Sequence, residues 1–301
     1  MNVLVTGATG YIGSHVCKIL KEHGHFVEAW DMNVHGDHND ISGLVDRYRK
    51  LDFTTVKWYN RWIEPDVIIH LAGHAIVPIS MKEPTKYYET NTMGTSFIID
   101  LFEEHQPHII FASSSSCFAN VSPYARSKSG AEDIIREKAA GYTIFRFFNV
   151  SGTDGIHRQV APATHLIRRA AMAACGKIDK LEIYGDDYET RDGTCIRDYV
   201  HVEDLAQAIV NAVENGPMNT PYECLGSKKG WTVKEIISIM EQVTNKKLNV
   251  EVAPRREGDS VANLVDNLSP LIKLEKTIED MCLDQYNLER SKNYDGNLRM
   301  R

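Results

Sequence analysis

The chain of 301 residues is 43% apolar and 25% charged, and it carries a formal net charge of −7. This composition is ordinary for a globular protein, and the length allows one large domain or two. The acidic balance provides no basic field, so we expect neither a nucleic acid nor a membrane surface as a partner.

Cysteine usage and an uncharged apolar stretch indicate the cellular compartment of the protein. The six cysteines are scattered without a CxxC pair, and no secretory signal pattern precedes the first strand-like run. We therefore expect reduced thiols and a cytoplasmic protein. Residues 67–81 contain no Asp, Glu, Lys or Arg, but this apolar stretch is too short to span a membrane. The twelve histidines form no HExxH motif and no paired His/Cys spacing, so we predict no metal site.

Strand-like and helix-like segments alternate through the first half of the chain. Val3–Thr6 is typical of a buried strand, and the apolar residues from Ile12 to Leu20 recur at helical spacing until Gly24 ends the helix. Further Val/Ile-rich or aromatic runs lie at residues 25–31, 66–73, 108–114 and 143–152. Strands separated by helices indicate βαβ units, so we predict an α/β fold with a doubly wound parallel sheet over residues 1–150.

The alternation loosens in the second half of the chain. A Gly/Asp-rich stretch at residues 184–194 is followed by a strongly amphipathic helix from Glu203. We predict a smaller α/β lobe over residues 151–301, with some segments, such as those around 195–215, packing back on the first domain.

A glycine turn joins the first strand to the first helix. Gly7, Gly10 and Gly13 allow a tight reversal there and a close approach of backbone N–H groups to a pyrophosphate at the helix N-terminus. Asp31 ends the next strand, where a carboxylate can bind an adenosine ribose diol and repel a 2′-phosphate. The alternative is a solvated turn residue. Together these features favour a Rossmann-type dinucleotide site.

Two other segments end at the same predicted edge of the sheet. Asp52 follows Leu51, and Leu71, Ala72 and Gly73 follow the run at 66–73. Ligands bind at the carboxyl edge of an open α/β sheet, although each segment could equally be a simple strand-ending turn.

A tyrosine and a lysine share a predicted helix face. Among 13 tyrosines only Tyr124 has a lysine, Lys128, four positions on, in a segment that begins with Pro123. A nearby cation lowers a phenol's pKa from about 10 toward neutrality, which suits a general base. The alternative is an exposed pair on a solvated helix.

Five segments carry a resemblance to a known family: VLVTGATGYIGSH from Val3, YARSK from Tyr124, RFFNVSG from Arg146, GDDYETRDGTCIRDYVHVEDLA from Gly185 and APRREGD from Ala253. Over nearly its whole length the chain resembles the extended short-chain dehydrogenase/reductase family and, within it, the nucleotide-sugar epimerases. The last two segments resemble motifs of the substrate lobe.

The resemblance implies an isomerase with tightly held NAD that inverts C4 of a UDP-sugar, UDP-glucose or UDP-galactose, through a 4-keto intermediate, and that forms a homodimer. It implies that Tyr124 is the catalytic base and acid, Lys128 its electrostatic partner, and Ser114 the third catalytic residue, with Ser116 as the neighbouring alternative. The implied cofactor residues are Gly7, Gly10, Tyr11, Ile12, Gly13, Asp31, Asp52, Phe53, Leu71, Ala72, Gly73, Asn91, Tyr124, Lys128 and Phe147. The implied substrate residues are Ser114, Ser116, Asn149, His165, Leu166, Tyr184, Arg197, Arg256, Asp259 and Asn263.

The chain departs from the family pattern near the tyrosine. Only ten positions separate Ser114 from Tyr124, where the family has an extra loop, so we expect a direct crossing and a more open or differently covered site. Asn263 stands where enzymes restricted to glucose and galactose often carry a large tyrosine. We therefore hypothesise room for a 2-acetamido group, so that UDP-GlcNAc and UDP-GalNAc are also substrates.

Other functions stay open from the sequence. A dehydratase of the same family would carry Asp-Glu after the catalytic hydroxyl, where this chain has Ser115-Ser116. A UDP-glucuronate epimerase, or a sugar-nucleotide reductase or decarboxylase, remains an alternative. A non-catalytic dinucleotide-sensing regulator could keep the glycine turn, but such proteins tend to lack the Tyr/Lys pair.

Overall fold

The computed structural model describes residues 1–33, 38–56, 63–157, 164–256 and 259–291. The chain divides into two compact units. The first comprises Met1–Phe147, Ala206–Leu225 and Ser269–Ile272. The second comprises Phe148–Leu205, Gly226–Leu268 and the chain from Lys273 on.

The strands of the described residues are β1 Asn2–Thr6, β2 Phe26–Asp31, β3 Arg47–Lys50, β4 Val67–His70, β5 His108–Ser114, β6 Gly141–Phe147, β7 Asn149–Ser151, β8 Leu181–Tyr184, β9 Ile196–His201, β10 Glu223–Leu225, β11 Gly230–Thr232, β12 Val250–Ala253 and β13 Ala262–Asn263. The α-helices are α1 Tyr11–Glu22, α2 Val77–Lys82, α3 Pro84–Tyr87, α4 Gly94–Leu101, α5 Ser116–Ala119, α6 Pro123–Lys138, α7 Leu166–Ala174, α8 Val202–Asn215, α9 Val233–Thr244 and α10 Ile278–Arg290. Short 3₁₀ turns cover His38–Ile41 and Phe53–Thr55, and a π-helical segment covers Tyr88–Met93.

The first unit is built on one seven-stranded sheet in the order β10-β6-β5-β4-β1-β2-β3. Every neighbouring pair in it is parallel. The order 3-2-1-4-5-6 within it is that of a Rossmann fold, and it reverses between β1 and β4. The predicted α/β class with a doubly wound parallel sheet is confirmed.

The core of the first unit lies on both faces of this sheet. Leu4, Ile68 and Ile144 on central strands have no exposed surface, which is why their runs are continuously apolar rather than alternating. Ile98 of α4 and Ile135 of α6 pack into the same cluster. This packing holds α6 against the sheet at the end of β5.

The second unit has its own sheets and core. In one sheet β9 pairs with β7 and β13 in parallel and with β11 in antiparallel register, and β8 pairs with β12 in a separate parallel ribbon. Its core contains Ile183, Tyr199, Ile236, Met240 and Cys282. Thr232 and Thr277 are the N-caps of α9 and α10. Each forms a complete capping box, which satisfies backbone donors at the helix start.

Two strand assignments in the first half of the chain differ from the sequence prediction. The run at 143–152, expected as one strand, divides at Phe148 into β6 and β7, which belong to different sheets. Strand β3 was not predicted, because its sequence Arg47–Lys50 is charged and lies at the sheet edge, where burial imposes no apolar pattern.

All six cysteines lie in described ranges and are free thiols. No helix in the described ranges is both long and apolar enough to cross a membrane.

Candidate active site

The glycine turn adopts a conformation that only glycine fits. Gly7 has φ +73°, and a Cβ there would lie 2.7 Å from the Ala72 backbone nitrogen. A Cβ on Gly13 would lie 2.2 Å from the Gly7 carbonyl oxygen. Gly10 is the N-cap of α1 and has no side chain to cap it. The turn therefore leaves backbone at the positive end of α1 open to close approach by an anion.

Asp31 and Thr9 complete this cradle. The Asp31 carboxylate accepts hydrogen bonds from the N–H groups of Thr9, at 3.0 Å, and Asn33, at 2.7 Å, so it ties the turn to the end of β2. The buried Thr9 hydroxyl has no hydrogen-bond partner within the described part of the chain. A buried orphan hydroxyl beside a backbone cradle fits the phosphates of a bound dinucleotide.

The side chains of Asp52 and Phe53 both contact other residues of the first unit. The Asp52 carboxylate accepts from the backbone N–H of Thr54 at 3.0 Å and from its hydroxyl at 2.7 Å, capping the 3₁₀ turn. The Phe53 ring is buried edge-on to His70, with ring centroids 5.1 Å apart. Sequence reasoning placed both at the cofactor, which stays a prediction; the Phe53 side chain itself belongs to the core.

Asn91 anchors the loop that follows β4. It lies 1% exposed in the π-helical segment; its Oδ1 accepts from His74 N–H at 2.8 Å, and its Nδ2 donates to the His74 carbonyl and the Ser127 hydroxyl, each at 3.0 Å. A Cβ on Gly73 would lie 2.7 Å from Asn91 Oδ1. Both amide hydrogens of Asn91 are therefore used within the protein, and its role at the cofactor stays a prediction.

The structure brings Ser114, Tyr124 and Lys128 together. Ser114 ends β5, and Tyr124 lies near the start of α6, where Ser114 lowers the pKa of the Tyr124 phenol. The Ser116 N–H donates to Ser114 Oγ at 3.2 Å, so Ser116 supports Ser114 through its backbone. Ser122 is the N-cap of α6 and accepts from the Ala125 N–H, which fixes the helix start and hence the tyrosine.

Lys128 is buried against the sheet. Its ammonium donates to the Ala112 carbonyl at 2.8 Å and lies 4.6 Å from the centroid of the Phe111 ring. Burial lowers the pKa of Lys128 to about 8, against the opposing influence of Cys117 and Glu132.

The pKa of Tyr124 moves opposite to the sequence expectation. Burial raises the pKa of this phenol to about 12, with the hydrogen bond from Ser114 acting in the lowering direction. The expectation that Lys128 brings the phenol toward neutrality was wrong for the protein alone. Helical spacing does place both side chains on one face, but the loss of hydration disfavours the phenolate more than its neighbours favour it.

The short link after Ser114 is folded rather than a direct crossing. It contains the single turn α5, and Asn120 ends that turn with φ +53°. Cys117 points inward, whereas Phe118 is 49% exposed and meets Tyr222 edge-on at 5.4 Å. The Arg146 guanidinium lies 4.6 Å from the Phe118 ring and 3.9 Å from the Tyr222 ring. An aromatic pair stacked on arginine thus covers this end of the sheet.

In the second unit, Arg197 is held in a fixed orientation. Its guanidinium donates to the carbonyls of Ile196 and Ser260 at 2.8 and 2.9 Å and lies 3.4 Å from the Asp259 carboxylate. The side chain remains 15% exposed. Arg197, on β9, and Asp259, just before β13, therefore form a pre-oriented charged pair.

Tyr184 and Arg256 form a second cluster of that unit. The Arg256 guanidinium lies 3.7 Å from the centroid of the Tyr184 ring, and the Tyr184 hydroxyl donates to Glu182 at 2.8 Å. The parallel pairing of β8 with β12 sets this arrangement, because it aligns Tyr184 with Ala253 just before the arginines.

The other predicted substrate residues also lie in the second unit. Asn149 on β7 donates to the Asp198 carbonyl at 3.0 Å, and Asn263 on β13 is half-buried in register with Arg197. His165 is the exposed N-cap of α7, whereas Leu166 packs against the core of the unit.

Comparison with known proteins identifies the family. A family model described as the NAD dependent epimerase/dehydratase family matches residues 3–224. The chain belongs to this family. A curated UDP-glucose 4-epimerase of Halalkalibacterium halodurans is 34% identical to it, with 86% of this chain and 85% of that protein covered.

Solved structures of UDP-glucose 4-epimerases are also similar to this chain in fold. The UDP-glucose 4-epimerase of Stenotrophomonas maltophila, with bound NAD and formylated UDP-arabinopyranose, has a TM-score of 0.88 at 27% identity and covers 96% of this chain and 98% of its own. The UDP-Glc/GlcNAc 4-epimerase of Campylobacter jejuni has a TM-score of 0.79 at 30% identity, covering 96% and 99%.

Sequence reasoning missed several residues around the site. Thr9 lies inside the glycine motif but was not distinguished from its neighbours, and Tyr222 was in no recognised pattern. Glu132 had a usable signal, because it follows Lys128 by four positions and so shares its buried face. Arg146 precedes the Phe-Phe-Asn segment, and nothing in its local sequence indicated its buried partner.

Proposed function

We propose that this enzyme interconverts UDP-glucose and UDP-galactose by NAD-dependent epimerisation at C4. The observation that carries the proposal is the placement of Ser114 at the end of β5 and of buried Tyr124 and Lys128 one turn apart on α6, at the carboxyl edge of the Rossmann sheet. Hydroxyl, phenol and ammonium side chains there supply proton transfer, and the glycine turn at the same edge suits the dinucleotide that supplies redox chemistry.

Tyr124 is the proposed base and acid. When bound, NAD supplies a reversible hydride acceptor and, in its oxidised form, a positive charge. A cation near the phenol favours phenolate, which offsets the burial that raises the pKa of Tyr124 to about 12 in the protein alone. Tyr124 then takes the proton of the sugar 4-hydroxyl as the 4-keto sugar forms, and it returns that proton when the opposite face is reduced. Ser114 donates to the phenolate and stabilises it.

The second unit is proposed to bind the nucleotide end. Planar guanidinium groups hold phosphate oxygens in pairs, which suits Arg197 and Arg256 to a diphosphate. We assign the face of Tyr184 to the uracil ring and the carboxylate of Asp259 to the ribose hydroxyls. Asn149, His165 and Leu166 are proposed as further contacts to the nucleotide sugar.

An NMR assay tests the proposal. Purified protein is incubated separately with UDP-glucose, UDP-N-acetylglucosamine and UDP-glucuronate, without added NAD. We expect UDP-galactose to form from UDP-glucose at constant total sugar nucleotide, with retained NAD acting catalytically. Release of CO₂ or net reduction would instead identify a decarboxylase or reductase. No conversion of any of the three would favour a dinucleotide-sensing regulator.

The substrate range has a candidate determinant in Asn263. It is half-buried on β13 in register with Arg197, and the relative from Campylobacter jejuni is described as a UDP-Glc/GlcNAc enzyme. We propose that a small side chain at this position admits a 2-acetamido group.

Replacing Asn263 by tyrosine should therefore lower the ratio of UDP-N-acetylglucosamine to UDP-glucose turnover by about tenfold, since added bulk in a pocket costs the larger substrate about 1–3 kcal/mol. Both kcat/KM values are measured on the same preparation. Asn267→Tyr, at a nearby exposed position, is the control and should leave the ratio unchanged. An unchanged ratio in Asn263→Tyr counts against the role of this residue.

The family resemblance also supports a homodimer and a cytoplasmic location. Both stay predictions, for which sedimentation and cell fractionation are the direct measurements.

A further inference from the structure

Glu132 is a fully buried acid beneath the Ser114–Tyr124–Lys128 group. It lies one helical turn after Lys128 on α6 and has no exposed surface. Its Oε1 accepts from Arg146 Nε at 2.9 Å, and its Oε2 accepts from Arg146 Nη2 at 2.7 Å. The Ser113 hydroxyl also donates to Oε1, at 2.5 Å. One carboxylate thus joins α6, β5 and β6.

The position of Ser113 gives this junction a direct connection to the chemistry. Side chains alternate along a strand, so Ser113 faces Glu132 while its neighbour Ser114 meets Tyr124. The last two residues of β5 therefore meet α6 at two points, Glu132 and Tyr124, which are eight residues apart along the helix. Displacing one point changes the distance between the Ser114 hydroxyl and the Tyr124 phenol.

The negative charge of Glu132 affects the buried cations near it. A buried ion is costly unless it is paired with good geometry, and the two-point contact with Arg146 meets that condition. The half-buried Arg136 adds only a 3.5 Å contact to Glu132. Lys128 is a buried cation that donates to the neutral Ala112 carbonyl, so the carboxylate one turn away is a source of negative potential for it.

We propose that Glu132 is a positioning residue of the active site, which fixes the end of β5 through Ser113 and keeps Lys128 in its ammonium form. This inference rests on the proposed function only where turnover is measured. The ammonium state of Lys128 can be observed without substrate or cofactor.

The charged and titratable groups around Lys128 and Tyr124 determine the direction in which the pKa of Lys128 moves when the Glu132 charge is removed. Titratable or charged side chains face them from five elements: Glu132 on α6, Cys117 on α5, His70 on β4, Tyr87 on α3 and Arg146 on β6. Burial, then the Lys128 charge, lowers the pKa of His70 to about 3, so His70 is neutral near pH 7. Burial raises the pKa of Tyr87, so it is a neutral phenol near pH 7. Glu132 is the anion of the set, and its removal leaves the charge of Arg146 uncompensated.

The test is the titration of Lys128 in Glu132→Gln. The amide preserves size while removing the charge, so the midpoint of Lys128 should fall by about half to one pH unit. The side-chain ¹⁵N signal of Lys128, assigned by its loss in Lys128→Met, reports this midpoint in the full chain. The alkaline limb of the kcat profile should move to lower pH by the same amount. Arg136→Gln is the matched control and should leave both readings in place.

A folded Glu132→Gln variant with an unmoved Lys128 midpoint overturns the electrostatic part of the proposal. If the wild-type protein fails to epimerise UDP-glucose, the proposed function is wrong, while the Lys128 titration still decides the role of Glu132.

Ser113→Ala tests positioning separately, and it serves even if Glu132→Gln does not fold. It removes a neutral hydroxyl and keeps both charges. We expect kcat to fall about fivefold to tenfold with KM and the Lys128 midpoint unchanged, because only the placement of β5 is altered. An unchanged kcat in Ser113→Ala would show that Glu132 does not act through this strand end.

Discussion

Tyr124→Phe is expected to lower kcat for UDP-glucose epimerisation by at least about a hundredfold, because positioned proton transfer contributes about 10²–10⁴-fold. The substitution removes only the hydroxyl, and the ring keeps its edge-on contact with Tyr87 at 6.3 Å between centroids. Ser114 then has no phenolate to stabilise. The measurement is the rate of UDP-galactose formation by NMR, with retained NAD quantified by absorbance after the protein is denatured.

Tyr142→Phe is the matched control for Tyr124→Phe. Tyr142 lies half-buried on β6 at the margin of the same hydrophobic core, away from the Ser114–Tyr124 pair. Its loss of a hydroxyl should leave turnover unchanged. Near-normal activity of a folded, NAD-containing Tyr124→Phe enzyme would remove this residue from the mechanism.

Gly13→Ala is expected to abolish retention of NAD during purification. The added methyl would lie 2.2 Å from the Gly7 carbonyl oxygen and 2.8 Å from the Ala8 Cα, both backbone atoms, so the turn itself must move. We expect the NAD dissociation constant to rise about a hundredfold, equivalent to about 2.7 kcal/mol. Stability should also fall by about 1–3 kcal/mol from overpacking. Fluorescence titration with NAD and thermal melting measure the two effects.

Gly24→Ala separates the cofactor effect from general strain on the same helix. Gly24 follows the end of α1 with φ +77° and open space around it. Alanine there should cost about 1–2 kcal/mol of stability through its left-handed conformation. NAD affinity should stay at the wild-type value. Tight NAD binding by Gly13→Ala would place the dinucleotide elsewhere.

Local sequence was informative where one physical requirement dominates. The Val/Ile runs of β1, β4 and β5 are buried on both faces, and the glycine turn has no room for a Cβ, so each pattern had one interpretation. Polar positions were less predictable. Asp52 follows a strand-like residue just as Asp31 does, yet Asp52 caps its own 3₁₀ turn while Asp31 binds the glycine turn. The difference lies in what packs nearby, which spacing does not encode.

The same distinction holds within the Ser/Tyr/Lys group. Helical spacing was sufficient to place Tyr124 and Lys128 on one face, and strand periodicity was sufficient to place Ser114 at a strand end. Their protonation was not predictable, since the pKa of Tyr124 is raised to about 12 by burial, a property of every element packed around it. The folded link with Phe118 over Arg146 was likewise unforeseen, because Tyr222 comes from 104 positions further along the chain.

The sequence by itself determined the α/β class, the dinucleotide turn and the shared helix face of Tyr124 and Lys128, since these follow from local periodicity and local steric limits, whereas Ser114 was indicated by the family resemblance. The tertiary structure alone decided which polar groups are satisfied and which are left for a ligand. Glu132, Arg146 and Ser113 meet only because three elements pack together, and burial there sets both the charge balance and the geometry of the site.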